Sequence, residues 1–182
     1  MKTLKILALM FAGMCMMSSC SDDDKEEKTA SEAEKIAGTY NGTNEVTVAA
    51  SPSSKETYTA DIEYKITANK NNTINVVVPT YSLDNTVMGN LTLGTHVISN
   101  IPYDAASGSF TKVYGTDGLT MQFKAVRVNN GVEIPVFDKA YSFTDNSTIT
   151  VKKTDEGLKV ANSFQLGSMP FPIVANFTSS IK

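Results

Sequence analysis

The chain has 182 residues, with 16 basic and 19 acidic side chains, one histidine, two cysteines and no tryptophan. A hydrophobic share of 41% and a charged share of 19% fit one globular domain and exclude a disordered chain or a polytopic membrane protein. A net charge of -3 at pH 7 excludes the basic footprint that nucleic-acid binding needs.

Residues 1–19 read as an export signal. Lys2 and Lys5 form a positive start, and Ile6 to Met17 is an apolar run of twelve residues. Such a run is too short to span a ~30 Å hydrocarbon core as a helix. It is a segment to be removed, outside the fold. The signal ends Met17-Ser18-Ser19-Cys20, which resembles the bacterial lipobox. The resemblance implies cleavage just before Cys20 and acylation of its thiol. Cys15 competes for that role, but bulky Met14 stands where a small residue is needed. Each buried CH₂ of an acyl chain contributes about 0.8 kcal/mol, so two or more chains hold a protein firmly on a bilayer. With Cys20 acylated and Cys15 removed, the mature chain has no free thiol and no disulfide. Its fold must then stand on burial alone.

Residues 20–35 read as the lipidated cysteine and a flexible acidic tether. Positions 21–35 carry seven acids, three lysines and no large apolar side chain. A segment of that composition buries too little to fold by itself. Fully extended, it reaches at most about 50 Å. Its start, Ser21, Asp22, Asp23 and Asp24, resembles the acidic export signal of surface lipoproteins of Bacteroidetes. That implies an outer-membrane protein, lipid-anchored and surface-exposed. The domain is expected over residues 36–182. It holds 11 basic and 12 acidic residues, so the acidity of the chain belongs to the tether.

Ser31 and Glu34 have capping-box spacing, and Gly38 supplies a stop, which predicts a short helix over 31–37. The period then changes to two. Thr57 to Ala68 alternates without a break: Tyr58, Ala60, Ile62, Tyr64, Ile66 and Ala68 face one way, and Asp61, Glu63 and Lys65 the other. Further strands are expected at 39–49, 73–78, 91–98, 109–114, 119–128, 132–137, 148–153, 158–166 and 171–178. Val126-Arg127-Val128 slips register, which suggests a bulge. Asn69 to Asn72, Asp117-Gly118, Asn129 to Gly131 and Asp155 to Gly157 are turn signals. This pattern predicts an all-β antiparallel fold, a barrel or a sandwich.

The opening favours the barrel. A short helix leading into Gly38-Thr39-Tyr40 resembles the lipocalin opening, where an aromatic after Gly-x plugs the barrel base; Gly38 and Tyr40 would take that part here, with Tyr in place of Trp. The whole chain resembles the calycin-like (lipocalin-like) β-barrel surface lipoproteins of Bacteroidetes. The resemblance implies an up-and-down barrel of about eight to ten strands after a short N-terminal helix. It implies no settled function.

No catalytic constellation is expected. His96 is the only histidine, and it lies opposite in parity to Leu91 and Leu93, so it is expected to point outward. Asp61 and Glu63 share a strand face, as a glycosidase pair would, but that face reads as solvated. Asp145-Asn146 and Asp155-Glu156 suit turns better than a calcium loop. No metal site and no cofactor are expected. Six tyrosines, at 58, 64, 81, 103, 114 and 141, are candidates to line a site. Two readings remain. One is a non-enzymatic binding module for a small apolar or glycan ligand. The other is a structural or adhesive surface protein acting through its outer face, with a fimbrial-like β-sandwich. The interior is expected to be largely filled, without an inward charge, and with at most a shallow mouth.

Overall fold

The computed structural model describes residues 29–179. The expected lipidation site Cys20 and the run Ser21, Asp22, Asp23, Asp24 lie outside the described residues. The chain begins with helix α1 (Glu32–Ile36), whose capping box is formed: the Ser31 hydroxyl accepts the Glu34 N–H at 3.2 Å, and the Glu34 carboxylate accepts the Ser31 N–H at 2.8 Å. Ala33 and Ile36 are buried against the barrel base.

Twelve strands follow. They are β1 (Gly38–Ser51), β2 (Ser54–Ala68), β3 (Thr73–Val78), β4 (Tyr81–Thr86), β5 (Gly89–Leu93) and β6 (His96–Asp104), then β7 (Ser109–Val113), β8 (Thr120–Asn129), β9 (Val132–Ser142), β10 (Thr148–Thr154), β11 (Gly157–Phe164) and β12 (Ile173–Ser179). Eight of them close a barrel in the order β1-β12-β11-β10-β7-β6-β3-β2. The other four form a sheet in the order β4-β5-β8-β9. All pairings are antiparallel.

The two sheets are one meander. β3 runs into β4, β5 into β6, β7 into β8 and β9 into β10, and the pairings on either side of each break join the same neighbours. The chain therefore has eight strand lines, four of them interrupted at the same level. The lower halves close with β1, β2, β11 and β12, while the upper halves peel away as the four-stranded sheet. Pairing of β1 with β12, from Gly42 opposite Ser179 to Thr47 opposite Val174, seals the barrel. The sandwich alternative is thereby corrected: a sandwich needs two separate sheets, and here one sheet closes on itself.

The level of the breaks is tightly tied. Thr95 N–H donates to the Thr80 hydroxyl at 2.9 Å, and the Thr95 hydroxyl to the Val78 carbonyl at 2.8 Å. Gly94 N–H reaches the Gln122 carbonyl at 2.8 Å. After β7, a 3-10 turn (Gly115–Asp117) passes so close to the opposite break that a Cβ on Gly115 would sit 1.7 Å from the Thr144 carbonyl oxygen. Only glycine fits this crossing.

Two expectations about strands are corrected here. The strand expected over 91–98 is two strands, β5 and β6, parted at Gly94-Thr95. The strand β4 was not expected at all. Ile62, Tyr64, Ile66, Met121, Phe123, Leu158, Val160, Phe164, Ile173 and Phe177 are buried in the core. Tyr58, Leu119 and Phe171 are half-buried at its margin. Each fully buried Leu, Ile or Phe contributes about 1.5–3 kcal/mol to holding the barrel together.

Candidate functional site

The lumen of the closed half is filled by large side chains. Tyr64, Tyr114 and Phe177 are fully buried there, with the Tyr64 and Phe177 rings 4.8 Å apart. It is not purely apolar. The Tyr114 hydroxyl donates to Asn162 Oδ1 at 2.8 Å. Asn44 is buried with neither amide atom in a well-formed hydrogen bond; the group it faces is the Tyr81 hydroxyl. Burial raises the pKa of Tyr64, Tyr81 and Tyr114, so all three stay protonated. The six candidate tyrosines thus divide. Three fill the lumen. Tyr58 ties β2 to the β4–β5 turn by accepting the Val87 N–H at 2.9 Å. Tyr103 and Tyr141 stand half-buried at opposite ends.

His96 is a correction. It points inward, at 7% exposure, with its ring 4.9 Å from that of Phe143. The bend at Gly94-Thr95 resets the parity between β5 and β6, so alternation counted from Leu91 and Leu93 does not carry through. Nδ1 lies 3.3 Å from the Gly94 carbonyl, which assigns the ring proton to Nδ1. Nε2 is buried without a partner. Burial lowers its pKa from 6.5 to about 4, against a smaller rise from the Gly94 carbonyl. The ring is neutral at physiological pH, packed against Phe143 with its Nδ1–H on a backbone carbonyl.

Gly38 and Tyr40 open β1. The Tyr40 hydroxyl donates to the Ile36 carbonyl at 2.8 Å, binding the first strand to α1, and its ring is half-buried. Asp61 and Glu63 are exposed on the outer wall, with Asp61 accepting from the Thr43 hydroxyl at 3.0 Å. They face a depression of about 850 Å³ on the wet side of β1 and β2, which also meets Lys153 and Asp155. No group of three or more His, Cys, Asp or Glu side chains placed to share a metal ion occurs among the described residues.

The other end of the barrel is different. The upper sheet and the β1–β2 hairpin frame a mouth with a cavity of about 170 Å³. Ala49 and Ala50 of β1, Val87 and Met88 of the β4–β5 turn, Val136 and Phe137 of β9, and Met169, Pro170 and Phe171 of the β11–β12 loop line it. Arg127 of β8 is its one charged residue. On β8, Met121, Phe123 and Ala125 are buried on one face, and Arg127 continues that face to the rim. The register shift lies between Ala125 and Val126, with Val136 of β9 as the extra residue, so the bulge sits on the partner strand. Arg127 is exposed, so its charge stands at the rim of this cavity and not inside the barrel. Phe123, Phe137 and Tyr141 form an aromatic cluster beneath it, with ring centroids 6.2–6.4 Å apart. Sequence reasoning passed over Arg127 because two flanking valines disguised an unbroken alternation.

The family described as Calycin-like beta-barrel domain matches residues 36–180. The chain belongs to that family. No curated protein and no solved structure matches it.

Proposed function

We propose that the protein is a lipid-anchored outer-membrane lipoprotein, surface-displayed and non-enzymatic, that holds a small, mostly apolar ligand at the barrel mouth. The observation that carries the binding role is the contrast between a lumen filled by Tyr64, Tyr114 and Phe177 and a mouth lined by apolar side chains. Exposed large apolar residues support it. Val128, Val132, Ile134, Val136 and Phe137 all lie on β8 and β9 at this end. Such concentration marks interaction surface more often than chance. A glycan is the weaker ligand: the polar depression over Asp61 and Glu63 has a single aromatic, Tyr40, and its hydroxyl is committed to Ile36. The anchor rests on Met17-Ser18-Ser19-Cys20, and the display on Ser21, Asp22, Asp23 and Asp24, as in the Bacteroidetes lipoproteins the chain resembles.

A structural or adhesive role through the outer face is the second reading, and β9, at the edge of the upper sheet, is the strand it would use. Fractionation tests the anchor. Cys20→Ala is expected to leave the membrane fraction, because no helix among the described residues is long and apolar enough to hold it there. Retention of that variant in detergent-free membranes refutes the lipoprotein reading. Replacing Asp22, Asp23 and Asp24 by Ala is expected to keep the protein lipidated but shielded from protease added to intact cells.

A further inference from the structure

Resting on the binding reading above, we infer that Arg127 makes the mouth a site for a carboxylate carrying an apolar group of about six carbons. Arg127 is the only arginine in the chain. It takes part in no ion pair among the described residues: the three that form use Lys35, Lys112 and Lys159. Glu133 of β9 stands opposite Val128, one position along, and so projects from the other face of the sheet. The arginine stem is given room by Gly89, where a Cβ would come within 3.4 Å of Arg127 Cγ. The guanidinium thus stands at the rim of an apolar cavity with its donors uncommitted.

A guanidinium presents a planar fork that matches a carboxylate with two parallel hydrogen bonds. The apolar wall, with Val87, Met88, Phe137, Met169 and Phe171, offers no second polar partner. A ligand must then carry its charge at one end and hydrocarbon at the other. The volume sets the length. A cavity of about 150 Å³ takes one benzene ring, and the mouth offers about 170 Å³. A long acyl chain does not fit there, and the filled lumen below gives it nowhere to continue.

The test uses the full acylated chain in lipid nanodiscs, with empty nanodiscs subtracting partition into lipid. Equilibrium dialysis measures radiolabelled heptanoate, heptan-1-ol and acetate. Heptanoate is expected to bind more tightly than either, since heptanol lacks the charge and acetate the tail. Arg127→Gln, at an exposed position that leaves the fold intact, is expected to weaken heptanoate about tenfold or more and leave heptanol unchanged. Arg127→Lys is expected to lie between, because it keeps the charge and loses the fork. Heptanoate and heptanol binding alike, and equally in Arg127→Gln, overturns the carboxylate and leaves the apolar mouth standing. Binding of none of the three overturns both. Heptanoate binding unchanged by Met169→Glu places the site elsewhere and overturns the inference.

Discussion

His96 predicts an acid weakness with a calculable size. Its folded pKa lies at about 4, against 6.5 for the exposed ring. Below pH 6.5 the unfolded chain takes up a proton that the folded chain refuses until about pH 4, so stability falls as pH drops through that window. Above the window the contribution is flat. At 1.36 kcal/mol for each pKa unit, the full loss is about 3 kcal/mol, of which about 2 kcal/mol appears between pH 7 and pH 5. Two carboxylates are shifted away from this interval. Asp104 is held below the usual carboxylate range by the Ser107 hydroxyl and the Ala106 N–H, and Glu156 by its hydrogen bond and charge pairing with Lys159. Both therefore titrate at lower pH. His96→Phe keeps a ring against Phe143, removes the orphaned Nε2, and cannot titrate. Urea unfolding, followed by far-ultraviolet circular dichroism at pH 7 and pH 5, measures the effect. Wild type is expected to lose about 2 kcal/mol between the two, and His96→Phe close to none, with the two within about 1 kcal/mol at pH 7. Equal losses in both proteins refute the assignment of the acid sensitivity to His96.

Gly115→Ala is expected to cost about 3 kcal/mol, because its Cβ would meet the Thr144 carbonyl oxygen at 1.7 Å and both partners are backbone; a urea midpoint unchanged from wild type shows that the crossing can open. Asn44→Leu is expected to raise stability by about 1 kcal/mol, since it replaces a fully buried amide lacking well-formed hydrogen bonds with an apolar group of similar size. A fall in the melting temperature instead shows that the contact with Tyr81 outweighs the burial cost.

Much of the barrel was legible in the sequence where one face is wet and the other buried over a long run. β2 alternates through Ile62, Tyr64 and Ile66 inward and Asp61, Glu63 and Lys65 outward, and the structure follows it. The capping box at Ser31 and Glu34 was equally plain, because its two hydrogen bonds are local. What escaped notice lies at the level of the breaks. β4 reads Tyr-Ser-Leu-Asp-Asn-Thr, and Asn85 adopts a left-handed backbone with φ of 55° that interrupts both alternation and register. His96 changed face because Gly94 and Thr95 bend the chain without a turn motif. The bulge near Arg127 was legible as a disturbance, but not which strand carried it, since register belongs to a pair of strands and not to either sequence. The mouth is assembled from five separate stretches of chain between Ala49 and Phe171, and no local pattern announces it.

The edges of the upper sheet bear on which functional reading the fold favours. A closed barrel has no free edge, so assembly through strand exchange would have to use β4 or β9. β4 packs against β2, and Tyr58 fastens the turn that follows it. β9 is uncovered, and it carries the features that stop an edge from pairing: Pro135, a bulge at Val136, and the charged Glu133, Asp138 and Lys139. An adhesive subunit built on strand donation needs the opposite, a long flat edge free of proline and charge. Yet Val136 and Phe137 of this same strand turn toward the mouth. The strand that is guarded along its edge is apolar on the face that meets the cavity. That combination suits a wall that admits a small molecule and resists another chain, which supports the proposed binding module over a structural subunit.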